Sequence, residues 1–197
     1  MAEAVTRTLY YLLLLVLLAF PSAVFAHRDD QYLQATLVAI EPGGVRLQIN
    51  LTPGVAVAEQ VSAAIDRDRD GAIAENEAAA YAESLKRDLT LRLDGRVLAL
   101  KLTASEFVSA EDLRTGAGII HIEFTAISGP LAAGPHRLTL ENRHLTTISV
   151  YLINAGLPRF ATIQITKQKR NQNQSAGEIE FTVHSIRPKI AGSGARP

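Results

Sequence analysis

The sequence predicts a mainly β protein, an antiparallel sandwich interrupted once by a helix–loop–helix. Three observations carry that expectation. Apolar and polar residues alternate with period two in several short segments, as they do in half-buried strands. Turn residues separate many of these segments, and short connections favour antiparallel neighbours. Between residues 53 and 87 the period becomes helical, with Val57, Val61 and Ile65 spaced by four.

The elements follow in order. Arg7 precedes a continuous apolar run over residues 9–20, which Pro21 and Ser22 break and which Ala26 follows. This is the pattern of a cleaved secretory signal, so residues 1–26 are expected to be removed and the mature chain to begin at His27. The run is about a dozen residues, against the ~20 a spanning helix needs; the alternative reading is an uncleaved anchor. No second apolar run of spanning length follows. The expected location is therefore extracytoplasmic, periplasmic or secreted.

Residues 45–51 alternate strictly, and with the turn residues Pro42-Gly43-Gly44 before them residues 32–40 and 45–51 read as a hairpin. Residues 89–93 and 97–102 flank Asp94-Gly95, a dipeptide favoured in tight hairpin turns. Further strands are expected at 119–126, 136–141, 148–153, 161–166 and 179–183. That many short strands read as an Ig-like sandwich over residues 27–186. Pro53 suits the first position of a helix, and Lys86 and Arg87 suit the last turn of a second one. Residues 53–87 thus form an insertion between two hairpins. The tail over 187–197 has little to bury and is expected to be disordered.

The 197 residues carry 47% hydrophobic and 20% charged side chains, enough for one buried core. Lys+Arg and Asp+Glu balance at 20 each, which gives no clustered positive field for nucleic acid. There is no cysteine, which excludes disulfides and thiolate chemistry.

Between the two expected helices lies Asp66-Arg67-Asp68-Arg69-Asp70-Gly71-Ala72-Ile73-Ala74-Glu75-Asn76-Glu77. Read as twelve positions, it places carboxylates at 1, 3, 5 and 12 and glycine at 6, the pattern of an EF-hand loop for calcium. Asp66, Asp68 and Asp70 alternate so that three short carboxylates converge. Gly71 permits a sharp bend. Ala72 offers its backbone carbonyl, and Glu77 a longer arm from the start of the exiting helix. Ile73 pins the loop to its surroundings, and Ala74 leaves position 9 to water. The hard oxygen set suits Ca2+ over zinc or copper. The loop has no second copy, so either the sandwich replaces a partner hand or two chains pair. A lone hand points to a structural ion more than to a switch.

Several stretches carry a resemblance. They are His27-Arg28-Asp29-Asp30-Gln31-Tyr32-Leu33-Gln34, Leu51-Thr52-Pro53-Gly54-Val55, the Asp-rich loop, Pro135-His136-Arg137-Leu138-Thr139, Asn142-Arg143-His144 and Ser149-Val150-Tyr151-Leu152-Ile153-Asn154-Ala155. Together they resemble bacterial exported EF-hand-containing proteins and the extracytoplasmic domain of some HupE/UreJ-type proteins. That family is associated with nickel or cobalt uptake. The membrane helices of the family are not in this sequence, so the resemblance implies an accessory or binding role, with an envelope or membrane protein as partner.

An alternative is a domain that handles copper, nickel or cobalt for a membrane transporter. A free His27 terminus can chelate copper, with a second ligand from His121, His136, His144 or His184. Alternation puts His121 and His184 on polar strand faces, and nothing in the sequence brings any of the four to His27. Lys167, Lys169 and Arg170 read as a solvated strand end. Asn50 and Asn173 match glycosylation acceptors without consequence in a bacterium. No nucleophile elbow, phosphate loop or zinc helix is present, so no enzyme is expected.

Overall fold

Residues 30–185 are described by a computed structural model; the expected signal and tail lie outside them. Of the described residues 47% are in strands and 19% in helices. They form two sheets rich in antiparallel pairs, consistent with a β-sandwich. No described helix is long and apolar enough to cross a membrane.

The expected first hairpin is β1 (Tyr32–Glu41) and β2 (Gly44–Pro53), paired from Glu41↔Gly44 to Tyr32↔Pro53. Two helices follow, α1 (Val55–Ile65) and α2 (Glu75–Asp88), then β3 (Leu89–Leu93) and the two-residue β4 (Arg96–Val97). Next come β5 (Lys101–Glu106), α3 (Ala110–Arg114), β6 (Ile120–Ile127) and β7 (Gly134–Asn142). The described chain closes with β8 (Ser149–Ala155), β9 (Ile163–Arg170) and β10 (Ala176–Val183). The sheet orders are β5-β6-β2-β1-β8 and β4-β3-β7-β10-β9. One pair, β1 with β8, is parallel.

In the central strands one parity of side chains is buried. Leu47, Ile49, Leu51, Ile122 and Phe124 from one sheet and Leu91, Leu138, Leu140, Ile179 and Phe181 from the other are buried in a single cluster. Each such side chain contributes about 1.5–3 kcal/mol. The helices join this core through Val57, Val61 and Ile65 of α1 and Tyr81, Ala82 and Leu85 of α2.

The structure differs from the sequence reading at four places. Pro53 ends β2, paired with Tyr32, and Gly54 is the residue before α1. A proline at a strand end leaves no ladder donor missing, which suits it there as well as in a first helical turn. The strand expected over 97–102 is two strands, because after Val97 the chain leaves one sheet and enters the other at Lys101. Buried Leu98, held by its N–H on the Leu91 carbonyl, marks the crossing. Helix α3 was not expected; Ser109 caps it by accepting from the Asp112 N–H at 3.1 Å. Strand β9 runs on past 166, where it was expected to end, so that Lys167, Lys169 and Arg170 are the exposed end of an edge strand.

That edge closes its neighbour. Strand β8 is the last of its sheet, and Gln168 of β9 reaches across to it. Its Nε2 donates to the Ile153 carbonyl at 2.8 Å and its Oε1 accepts from the Ala155 N–H at 3.2 Å. One side-chain amide thus satisfies two exposed backbone groups as a strand residue would.

A second polar group ties helix to sheet. Buried His144 places Nδ1 2.7 Å from Asp88 Oδ2 and Nε2 3.1 Å from the Tyr81 hydroxyl, which lies 2.7 Å from the Tyr32 hydroxyl. Asp88 as a carboxylate only accepts, so it fixes the Nδ1–H tautomer. His144 Nε2 then accepts from Tyr81, and Tyr81 from Tyr32. The His144 carbonyl accepts from Gln34 Nε2 and the Tyr151 hydroxyl, both at 2.9 Å.

Protonating His144 reverses this order. Nε2 becomes a donor, Tyr81 turns to Tyr32, and the fully buried Tyr32 hydroxyl is left without an acceptor. Burial lowers the His144 pKa, against the opposing pull of the Asp88 hydrogen bond and charge. A histidine depressed in the folded state contributes stability above its unfolded value of about 6.5, and that contribution is lost as pH falls through it. His136 works the other way. The Ala132 carbonyl and then Asp94 raise its pKa, so its contribution fades as pH rises. Between pH about 7.5 and about 5.5, either side of that value, the thermal midpoint of the wild type is expected to fall more than that of His144→Gln. Equal acid slopes in calorimetry would remove His144 from the response.

Candidate metal centre

The loop between α1 and α2 is built from the end of one helix and the start of the next. Helix α1 closes at Ile65, buried in the core, and the Asp66 N–H donates to the Ser62 carbonyl at 2.8 Å. Asp66 is thereby drawn inside, with 4% of its surface exposed. It also stands at the negative end of the α1 dipole, which favours a cation. Ile73 packs against the core and fixes the far side of the loop.

Asp66, Asp68 and Asp70 each offer an oxygen within 4.8 Å of the others. Among the described residues this is the one group of three or more potential ligands. The same three side chains fold the loop. Asp66 Oδ2 accepts from the Gly71 N–H at 3.1 Å, Asp68 Oδ1 from Asp70 at 3.2 Å, and Asp70 Oδ1 from Ala72 at 2.8 Å. The backbone turns through left-handed conformations at Arg69 and Gly71, with φ of 62° and 85°.

Asp66 Oδ1 is buried and has no hydrogen-bond partner. Only one other buried side-chain atom among the described residues shares that condition, the neutral Thr36 hydroxyl. An ionised oxygen left bare inside a protein costs more than a hydroxyl, by several kcal/mol. Like charges so close repel by roughly 1–4 kcal/mol per pair, depending on local polarity. A hard divalent cation at the convergence removes both penalties. The residues present therefore fit a calcium-type ion.

Glu77 stands beside the three aspartates without being one of the converging group. It is 6% exposed; its Oε1 accepts from the N–H groups of Arg67 (2.6 Å) and Asp68 (3.4 Å), and its Oε2 from that of Ala74 (3.1 Å). It therefore clasps both ends of the loop and retains lone pairs for an ion. Ala72 is exposed, and no described residue donates to its carbonyl.

The other sequence candidates are dispersed. His27 lies outside the described residues. The His121 Nδ1 is 2.8 Å from Asn50 Oδ1 on the exposed face of one sheet. His136 sits between Asp94 and Ala132 and stacks on Phe181, and His184 faces Gln164. His144 is committed to the interior relay. Lys169 and Arg170 engage Glu178 and β8 respectively.

Two contributors escaped the sequence reading. Tyr81, one turn beyond Glu77 on α2, anchors the exiting helix to Tyr32 and His144. Arg114 of α3 comes to a cleft that Asp66 and Arg69 also line. Ser109-x-x-Asp112 signalled the helix that carries Arg114, but nothing in the spacing signalled where it docks.

No family model, curated protein or solved structure matches the chain.

A Cβ on Gly71 meets nothing within 4 Å, so the cost of adding one is conformational alone. Gly71→Ala is expected to lose about 1–3 kcal/mol from the closed loop, and Gly71→Asn less, since asparagine tolerates this backbone region. Hydrogen-exchange protection across residues 66–77 measures the difference; equal protection in the two variants refutes the assignment.

Proposed function

We propose that this chain is a calcium-binding protein of the extracytoplasmic space. The ion would sit in an EF-hand-type insertion within an Ig-like sandwich and serve chiefly to hold the insertion in place. The unpartnered, buried Asp66 Oδ1 carries this reading. The convergence of Asp66, Asp68 and Asp70, the glycine at the sixth position and Glu77 at the twelfth support it.

Asp66, Asp68 and Asp70 would supply carboxylate oxygens, Ala72 its carbonyl and Glu77 the last carboxylate. Ca2+ brings no redox chemistry; its contribution is neutralisation and cross-linking of the loop. Export is supported by the apolar run over 9–20 and the small residue at Ala26. Outside the cytoplasm calcium is abundant enough to fill even a site of roughly 10⁻⁴–10⁻³ M, which favours constant occupancy over switching. In a cysteine-free chain such an ion takes the place of a covalent staple. The likeness to exported EF-hand proteins and to HupE/UreJ-type domains supports a binding or accessory role at the envelope rather than an enzymatic one.

Thermal unfolding tests the reading. Calcium at 100 times its dissociation constant stabilises by about 2.7 kcal/mol, several degrees for a domain of this size. The rise is expected in the wild type and absent in Asp66→Asn. A wild-type midpoint identical in calcium and in chelator would sink the proposal.

A further inference from the structure

The sheet β5-β6-β2-β1-β8 carries a hollow of about 520 Å³, within the range of small-ligand sites. In β2, Gln48 and Asn50 alternate with the buried Leu47, Ile49 and Leu51, so they stand on the face turned away from the core. The strand register extends that face into two neighbouring rows. Glu106, His121 and Asn50 are successive partners across β5, β6 and β2, and Ala35 and Leu152 continue the row on β1 and β8. In the next row Glu123 and Gln48 are partners, followed by Leu37 of β1. All eight line the hollow. One half of it is therefore polar and the other aliphatic. Leu37 and Leu152 are 41% and 36% exposed, large apolar side chains left facing water.

The polar half is ordered before anything binds. Gln48 Nε2 donates to Glu123 Oε1 at 2.8 Å, and Asn50 Oδ1 accepts from His121 Nδ1 at 2.8 Å. These pairs keep capacity of both kinds: Gln48 Oε1, Glu123 Oε2 and His121 Nε2 can accept, and the Asn50 amide N–H groups can donate. Neighbouring donors and acceptors suit hydroxyl groups, each of which gives one hydrogen bond and takes others. Other ligand classes fit less well. An anion would face Glu106 and Glu123, with no Lys or Arg on the lining to hold it. A wholly apolar ligand would strip water from the polar half without replacing its hydrogen bonds. A small cation would use the carboxylates and leave the amides and the leucines idle. A sugar ring has both sides, a rim of hydroxyls and a flatter face of C–H groups that can lie on Leu37 and Leu152.

We infer that this hollow binds a short neutral saccharide, its hydroxyls on Gln48, Asn50, His121 and Glu123 and its C–H face on Leu37 and Leu152. The cross-strand hydrogen bonds hold the polar side chains in place, so less ordering is lost when the sugar arrives. None of residues 66–77 lines the hollow, and the inference stands apart from the calcium reading. It gives the binding role a ligand class and a face of the sandwich.

NMR titration of the purified protein, with calcium present, tests it with three neutral probes: cellotriose, maltotriose and triacetylchitotriose. Saturable shifts are expected with at least one of them, centred on residues 35–37, 48–50, 121–123 and 152, and the probe that binds identifies the sugar. Affinity is expected to be equal at low and high salt, as for an uncharged ligand. Asn50→Ala and Leu152→Ser, both at exposed positions, are each expected to weaken binding about tenfold. Either variant suffices should the other fail to fold. Leu157→Ser, at an exposed leucine that does not line the hollow, is expected to bind as the wild type does. No saturable shift with any of the three sugars, shifts that map elsewhere, or undiminished affinity in the folded Asn50→Ala and Leu152→Ser variants would overturn the inference. Salt-sensitive binding of trilysine at these residues in place of the sugars would overturn it too, and would make the hollow a cation site.

Discussion

A hydrogen bond between two phenols, Tyr32 and Tyr81, joins the helical insertion to the sheets, and the placement of the loop depends on it. Tyr32 begins the first described strand and is fully buried; Tyr81 lies in the middle of α2. The bond contributes about 1 kcal/mol net of the water it displaces. Its importance is positional, because His144 and Asp88 extend it to the end of the same helix. A helix fixed at its middle and its end presents its first turn, with Glu77, at a defined height beside the aspartates. Short helices rarely hold themselves in water, so tertiary contacts of this kind decide whether the loop is shaped at all.

The same economy governs the loop. Each aspartate gives one oxygen to a backbone N–H, which shapes the turn, and Asp66 keeps its other oxygen unpartnered. Glu77 does both tasks at a different place, bonding residues at the start and at the end of the loop. The side chains that bring the charge thus also bring the turn, and their backbone hydrogen bonds hold a closely spaced set of like charges in a defined fold.

Local order was legible and long-range order was not. The alternation over 45–51 announced β2 because every inward side chain there meets the opposite sheet, and the Asp-x-Asp-x-Asp-Gly spacing announced the loop because its chemistry is confined to twelve residues. The pattern at 97–102 misled because Leu98, Leu100 and Leu102 alternate equally well when the chain changes sheets. In the helical spacing Tyr81 is indistinguishable from an apolar position of α2; its hydroxyl finds a partner 49 residues earlier and another 63 residues later. Helix α3 is one turn long and too short for periodicity, although its capping serine was visible. The closure of the β8 edge by Gln168 depends on two strands in different sheets coming side by side, which no window of sequence contains.

That last contact also sets a chemical clock. Glutamine side chains hydrolyse slowly to glutamate, and at position 168 the exchange replaces the donor facing the Ile153 carbonyl by a second, charged acceptor. The amide bridge then becomes a repulsion at that carbonyl, and Arg170, whose Nε donates to the same Ile153 oxygen, is left to hold the rim of β8 alone. An ageing molecule would keep its edge closed by one side chain where its freshly made counterpart uses two.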